Sequence, residues 1–469
     1  MPAATGYTLP GTKIEEVTQP TTVNISTSQR LPVFIGTASA YMLVQFEEVV
    51  RSSTGLTPHA DSLAYTSAGI YQILEVGSQR GLADYVVTTD YSLHSNKILW
   101  TSTGARPVNG ATYFVSYKYD RPYSATYLTD PTKNDYRYKE FTTIDDVIAD
   151  LGDIVPENPL VMIANLALKY YNVPKIATVQ VYAEDNISDY TDALSLIMYR
   201  DVQTVVPLST NATIRNLVIN HIKERSLPDN GRWRMAWFGT PIATPIGDES
   251  DTDSIRGIAA SIKNERCIVV NATRATYFYN DPDTKEQLST VVNGQFIAAA
   301  IAAYRDAFVY PATGMLGKTV PGLELFSDDF DDYYNDYWLK QAGGSGVYIV
   351  DSVNGAIRIR DDITTDNTTI ERNNPNIITA KDYVAKDVAA QLTNTFVGQL
   401  IMDPSAYINT FLAYLAALFA AYKRSSVIAA VGTLKAQIDP TKRTRVLFSY
   451  SYLSVYENKE IYGTYALEV

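Results

Sequence analysis

The chain has 469 residues and a mass of 51.9 kDa, room for roughly two to four domains, since single cores seldom grow past roughly 250–300 residues. It carries 39 Lys and Arg against 51 Asp and Glu, a formal charge of −12, which excludes a general nucleic-acid binder with a basic face. Cys267 is the single cysteine, which excludes an intrachain disulfide and a multi-thiolate zinc site; 35 tyrosines against 14 Phe and 4 Trp suit strands and interfaces.

The first ten residues lack a basic stretch followed by an apolar run, so they do not read as a secretory signal. Pro2, Pro10 and Gly11 block an early helix, and the N-terminus reads as an extended arm. Lys13–Thr18 and Thr22–Ser26 are β-prone and broken by Pro20. Leu31–Gly36 is a short apolar strand. Residues 45–145 are rich in Tyr, Thr, Ser and Val with closely spaced turn signals. Strands are expected there at Asp84–Thr89, Lys97–Thr101 and Ala111–Tyr119, which suggests a small β-domain.

From about residue 146 the period changes. Strands at Thr178–Tyr182, Val202–Val206, Arg234–Phe238 and Cys267–Val270 alternate with helices at Tyr190–Tyr199, Ala212–Arg225, Ser254–Glu265 and Val292–Ala307. That alternation argues for an α/β domain with a mainly parallel sheet. Asn354-Gly355, between Gly346–Val350 and Ala356–Arg360, is a hairpin signal. Lys381–Leu400 reads as helical. Asp403 and Pro404 are an N-cap and a first-turn proline opening Ser405–Arg424, and Ser425–Ile438 continues the helical run. The apolar stretch Ala406–Tyr422 falls short of the roughly 20 residues that span a bilayer and reads as a buried helix. Arg443–Tyr452 and Glu460–Leu467 are expected strands. Terminal strands without a neighbour in sequence pair either inside the domain or with another chain, and the pattern leaves both open.

Catalytic signals are weak. Ala312–Thr319 fits a relaxed phosphate-loop pattern, with Lys318 to hold a phosphate, Phe308-Val-Tyr as the preceding strand, and Val347–Asp351 as a mimic of the apolar strand and Asp that hold magnesium. Pro321-Gly322 falls where the first helical turn would form, and the leading glycine is missing. The acidic clusters Asp248–Asp253, Asp328–Asp332 and Asp361-Asp362 lack calcium-loop spacing and read as solvated loops. His59, His94 and His221 have no second His or Cys in register, and Cys267 reads as a buried small hydrophobe. No catalytic constellation, cofactor site or metal site is expected.

Pro10–Val17 resembles the N-terminal Pro-Gly-x-x-x-Glu segment of the tail sheath proteins of contractile-tailed bacteriophages, and Val33–Ala38 resembles their first core strand and Gly-x-Ala turn. Asp84–Trp100 and Pro107–Tyr119 are similar to a β-domain that many sheath proteins carry. Pro321–Leu323, Leu339–Gly343, Gly346–Ile349, Ala356–Ile359 and Thr364-Thr365 look like the family's core segment. A helix-rich region followed by two strands completes the order. Thr12 departs from the family, which tends to have an apolar residue there.

The resemblance implies an α/β and α+β multidomain fold: a core domain with an inserted β-domain, a C-terminal helix-plus-sheet domain and extended strand arms at both ends. The implied boundaries are an N-terminal arm at 1–26, a core at 27–44 and 146–365, an inserted β-domain at 45–145, a C-terminal domain at 366–455 facing the tube, and a C-terminal arm at 456–469. It implies a non-enzymatic subunit that polymerises around a tail tube in a metastable extended state and contracts to drive the tube through the host envelope. Arm positions would be Ile14, Val17, Val23 and Ile25, and Ile461, Tyr462, Tyr465 and Leu467. Val446, Phe448, Tyr450 and Tyr452 would lie on the strand that receives an arm, and Lys423 and Arg424 would face the tube. Expected partners are further copies of the chain, the tail tube protein, and the baseplate and tail terminator proteins, with no direct nucleic acid and no membrane insertion. The expected location is the virion tail, after assembly in the host cytoplasm. A phosphate-loop hydrolase using Lys318 and Thr319, and the sheath of a related phage-like injection system, are the alternatives.

Overall fold

The computed structural model describes residues 30–456, apart from 39–40, 53–59, 65–69, 95–96, 121–136, 182, 228–229, 281–285 and 309. Strand β1 (Pro32–Thr37) opens the body and is buried along nearly its whole length. Six strands then form a separate unit: β2 (Tyr41–Val50), β3 (Ala60–Ser62), β4 (Ile70–Gly77), β5 (Tyr91–His94), β6 (Lys97–Trp100) and β7 (Thr112–Asp120). They make two three-stranded sheets, ordered β2-β7-β4 and β3-β6-β5. Trp100 fills their shared core, with the rings of Tyr85, Tyr91 and Tyr113 edge-on at 5.0, 5.9 and 5.2 Å. Asp61 is buried in that core and accepts from Trp100 Nε1, Tyr113 OH and the Ser52 amide. Asp84–Thr89, expected as a strand, is instead a turn-rich segment in which Val87 makes one isolated bridge to Tyr91.

The chain returns to the body through β8 (Tyr138–Phe141), β9 (Ile176–Val181), β10 (Thr204–Pro207), β11 (Met235–Phe238) and β12 (Cys267–Val269). With β1 they form a six-stranded sheet ordered β12-β11-β10-β1-β9-β8, parallel except at the β8 edge. Helices Ile187–Ile197, Ala212–Arg225 and Ile255–Ile262 cross between successive parallel strands. Coverage on both faces explains why β9, β10 and β11 read as unbroken buried runs instead of alternating ones.

A second, antiparallel sheet of β13 (Arg274–Asn280), β14 (Gln287–Asn293), β15 (Thr319–Leu325), β16 (Ile349–Val353) and β17 (Ala356–Asp361) has the order β14-β13-β15-β17-β16. A parallel bridge from Val270 to Tyr348 ties it to the first sheet, and both share one core. Asn354 and Gly355 take φ of 53° and 84°, the left-handed pair a two-residue hairpin needs. The helix expected from Val292 starts later, because β14 runs to Asn293, whose side chain then caps helix Gly294–Asp306.

Helices Pro375–Phe396 and Pro404–Arg424 and the strands β18 (Ile428–Ile438) and β19 (Val446–Ser454) form a third core. Ser425–Ile438 is therefore largely a strand and not the expected helix. Its Ala, Leu and Lys content favours a helix locally, but pairing with β19 from Ile428–Ser454 to Ile438–Val446 overrides propensity.

Candidate assembly surface

Helix Pro404–Arg424 begins as its sequence dictates. Asp403 accepts from the amides of Ser405 and Ala406 at 2.9 and 3.2 Å, and Pro404 stands in the first turn. Phe411, Leu415, Phe419 and Tyr422 recur every three to four residues and are its buried face. The opposite side, with Ala406, Asn409, Thr410, Ala413, Ala416, Ala417 and Ala420, is exposed, so the expected buried helix is buried along one face only. By length and composition it is apolar enough to cross a membrane, but its aromatic stripe is occupied by the third core.

Strands β18 and β19 pair only with each other among the described residues. A lone two-stranded ribbon is marginal in water, and this one is held by laying one face on the helix. Phe448 meets Phe411 at 5.6 Å between ring centres, and Tyr450 meets Phe419 at 5.2 Å. Val446, Phe448, Tyr450 and Tyr452 all lie on this inward face. Each strand keeps an outer edge without a β-partner among the described residues. Such an edge offers unpaired amides and carbonyls that can template another strand. The other side of the ribbon, with Lys435, Gln437, Leu447 and Ser449, is exposed.

Lys423 and Arg424 are exposed in the last turn of the helix, where positive charge suits the helix dipole, and no ion pair engages them among the described residues. Ile14, Val17, Val23, Ile25, Ile461, Tyr462, Tyr465 and Leu467 lie outside the described residues.

The phosphate-loop alternative fails on geometry. Thr319 opens strand β15, where a phosphate loop requires a helix N-terminus. Phe308 and Tyr310 lie in bends after the end of helix Gly294–Asp306, and Lys318 Nζ rests 4.6 Å from the centre of the Phe308 ring. Burial pushes the Cys267 thiol up to about 12, which leaves it inert. His221 is buried, accepts from Arg234 Nη1, and is pushed down to about 3 by burial and by the Arg234 and Arg225 charges. No group of His, Cys, Asp and Glu suited to a metal occurs among the described residues.

Two acidic clusters hide buried ion pairs that their sequence context conceals. Asp329, expected in a solvated loop, is buried and receives Arg274 at 2.6 Å. Asp362 is fully buried against Arg305 at 2.9 and 3.1 Å, and Arg305 also donates to Asn376 at the start of helix Pro375–Phe396. Arg266 holds Asp382 of the same helix in a bidentate pair at 2.5 and 2.9 Å. Arg30 donates to Asp306 and to the carbonyls of Arg305 and Tyr310, and burial lowers it to about 10. The Arg305–Asn376 and Arg266–Asp382 contacts pin the third unit to the body. The available signal was a lone arginine, Arg305, ending the Ala- and Ile-rich run from Ile297 to Tyr304: a charge at the end of a buried helix implies a buried partner.

A family model described as "Domain of unknown function (DUF4815)" matches residues 17–134. No curated protein matches the chain by sequence. Solved structures match it over nearly its full length. The contracted sheath complex of the extracellular contractile injection system PVC is 12% identical, covers 99% of each chain and gives a TM-score of 0.52. The contracted helical sheath of the anti-feeding prophage is 10% identical, covers 99% of this chain and 100% of its own, and gives 0.51. The sheath tail protein from Desulfitobacterium hafniense is 10% identical, covers 94% and 100%, and gives 0.45. The chain thus has the fold of the contractile sheath proteins, and the PVC and anti-feeding prophage sheaths carry that assignment.

Proposed function

We propose that the chain is a non-enzymatic structural subunit of a contractile sheath, one that polymerises around an inner tube and contracts to drive it through an envelope. The observation that carries this reading is the sheath fold over 99% of the chain, together with a two-stranded ribbon whose outer edges are unpaired among the described residues. The N-terminal segment 1–26 and the C-terminal segment 456–469 act as arms, and each adds a strand to the ribbon of a neighbour. Strand addition supplies main-chain hydrogen bonds without fixing how the bodies are oriented, so subunits stay linked while body contacts exchange. The interfaces are heterologous and propagate. Lys423 and Arg424 face the tube. The parent assembly is a bacteriophage tail, built in the host cytoplasm, with tube, baseplate and terminator proteins as partners. The likeness to the PVC and anti-feeding prophage sheaths favours a phage-like injection system as the second reading. Particles purified from the producing cell decide between them: a DNA-filled capsid on the tail marks a phage.

Electron microscopy of the purified protein tests the central reading. Long tubes or stacked rings are expected. Deleting residues 1–26 is expected to give folded monomers by circular dichroism and sedimentation. Polymers unchanged by that deletion would sink the arm mechanism.

A further inference from the structure

Charge is divided unevenly along the chain. Residues 375–456 hold eight Lys and Arg against four Asp and Glu, a net of +4, whereas residues 30–374 hold 29 against 42, a net of −13. All four acids of the C-terminal unit are engaged. Asp382 receives Arg266 of the body, Asp387 accepts from Tyr422 OH at 2.5 Å, Asp403 caps its helix, and Asp439 is buried under Thr441 and Arg445. Of its cations, Lys381 and Lys386 reach Glu265 and Asp201 of the body, and Arg445 pairs with Asp439. Lys423, Arg424, Lys435, Lys442 and Arg443 remain exposed, without an ion pair among the described residues. All four acids of the unit are thus engaged, while five of its eight cations are exposed without an ion pair among the described residues.

Three of these cations belong to the ribbon. Lys435 stands on its outer face, across from Ser449 and beside the Gln437–Leu447 pair, and Lys442 and Arg443 sit in the turn that closes it. The body carries a patch of opposite character at Ser327–Tyr337. Phe330 and Tyr337 are 54% and 63% exposed there. Asp328 and Asp336 already meet Arg274 and Arg360, while Asp331 and Asp332 are exposed with no ion pair among the described residues. Both patches are open in the folded chain, so they do not satisfy each other within it.

We propose that the basic outer face and turn of the β18–β19 ribbon dock on the Ser327–Tyr337 segment of a second copy of this chain. The proposal rests on the polymer reading above and names a body contact that reading leaves open. Opposite charge fixes which surfaces meet and in what orientation, and the exposed aromatic rings supply the anchors that charge alone does not. Body against body brings two acidic surfaces together, so like-charge repulsion disfavours the symmetric contact and selects the head-to-tail one that propagates. A contact between exposed charges is screened by salt, which makes it exchangeable.

Charge exchange tests this. Wild-type protein is compared with Lys442→Glu/Arg443→Glu, with Asp331→Lys/Asp332→Lys, and with all four substitutions in one chain. Sedimentation and electron microscopy are run at about 50 and about 500 mM salt, and circular dichroism confirms folding. Each double variant is expected to raise the critical concentration for assembly about tenfold or more at low salt. The fourfold variant, in which residues 442–443 and 331–332 are again of opposite sign, is expected to recover most of the wild-type assembly. Double variants that assemble normally, or a fourfold variant as defective as either double, overturn the proposal. Assembly that appears only with tube protein and fails with Lys442→Glu/Arg443→Glu alone moves the basic face to the tube and also overturns it. Wild-type protein that stays monomeric at low salt, with and without tube, removes the polymer reading itself.

Discussion

His221 shows how a single buried ring ties the fold to pH. Its Nε2 accepts from Arg234, a fully buried cation that also donates to the carbonyls of Ile197, Met198 and Arg200. A second positive charge cannot be accommodated there, so the folded ring stays neutral to about pH 3, against an ordinary value of 6.5. The unfolded ring binds a proton near that ordinary value. Below it the unfolded state therefore gains protons that the folded state refuses, and stability falls as pH falls. One such group removes about 2 kcal/mol between pH 7 and about pH 5. His221→Gln, which keeps an acceptor for Arg234 but does not titrate, is expected to flatten that part of the pH profile of urea denaturation. An unchanged slope would place the pH sensitivity elsewhere. A lone histidine in a helix reads from sequence only as unsuited to a metal. That it is the neutral acceptor of a buried arginine depends on Arg234, 13 residues away just ahead of β11.

At the scale of elements, local chemistry was legible wherever it acts alone. Asp403-Pro404 and Asn354-Gly355 announce a helix start and a two-residue hairpin, and both form as announced because cap and turn geometry involve only neighbouring residues. Asp403→Ala is expected to lower stability by about 1 kcal/mol in chemical denaturation, with an unchanged denaturant slope. A loss near zero would mean that the aromatic stripe alone sets the helix start. Ser425–Ile438 misled for the opposite reason. Ala429, Ala430, Leu434, Lys435 and Ala436 are good helix formers or neutral in a helix, and the alternation of inward Leu434, Ala436 and Ile438 is short. What decides the strand is the partner β19 and the rings of Phe411 and Phe419 beneath it, neither visible in the segment itself. The expected recipient strand, Val446 to Tyr452, was legible because its alternation is long and aromatic.

At the scale of the whole molecule, the order of units follows from where the chain leaves and re-enters the six-stranded sheet. β1 ends at Thr37 opposite Val181 of β9, and β8 begins at Tyr138 opposite Val179 of the same strand. Exit and return therefore lie at the same end of β9, on its two sides, about 10 Å apart at roughly 4.8 Å per strand. Among the described residues, the strands β2 to β7 pair only with one another and fill their own core around Trp100, separate from the core of the body. Lys118 of β7 meets Asp153 of the body across the junction at 3.3 Å. An insertion of this kind can be removed without opening the sheet, because a bridge of roughly six Gly and Ser residues spans the gap. Excising residues 41–134 and joining the ends this way is expected to leave a soluble protein with one cooperative unfolding transition and with the far-ultraviolet spectrum of the mixed sheet-and-helix body. If the arms and the ribbon carry assembly, as proposed, the excised protein still forms tubes, thinner on the side where the insertion stood. Tubes lost while the fold is retained would instead place an obligatory subunit contact on the insertion. A protein that fails to fold would show that the Trp100 unit props the β1–β9–β8 edge, and that its separate core does not make it separable.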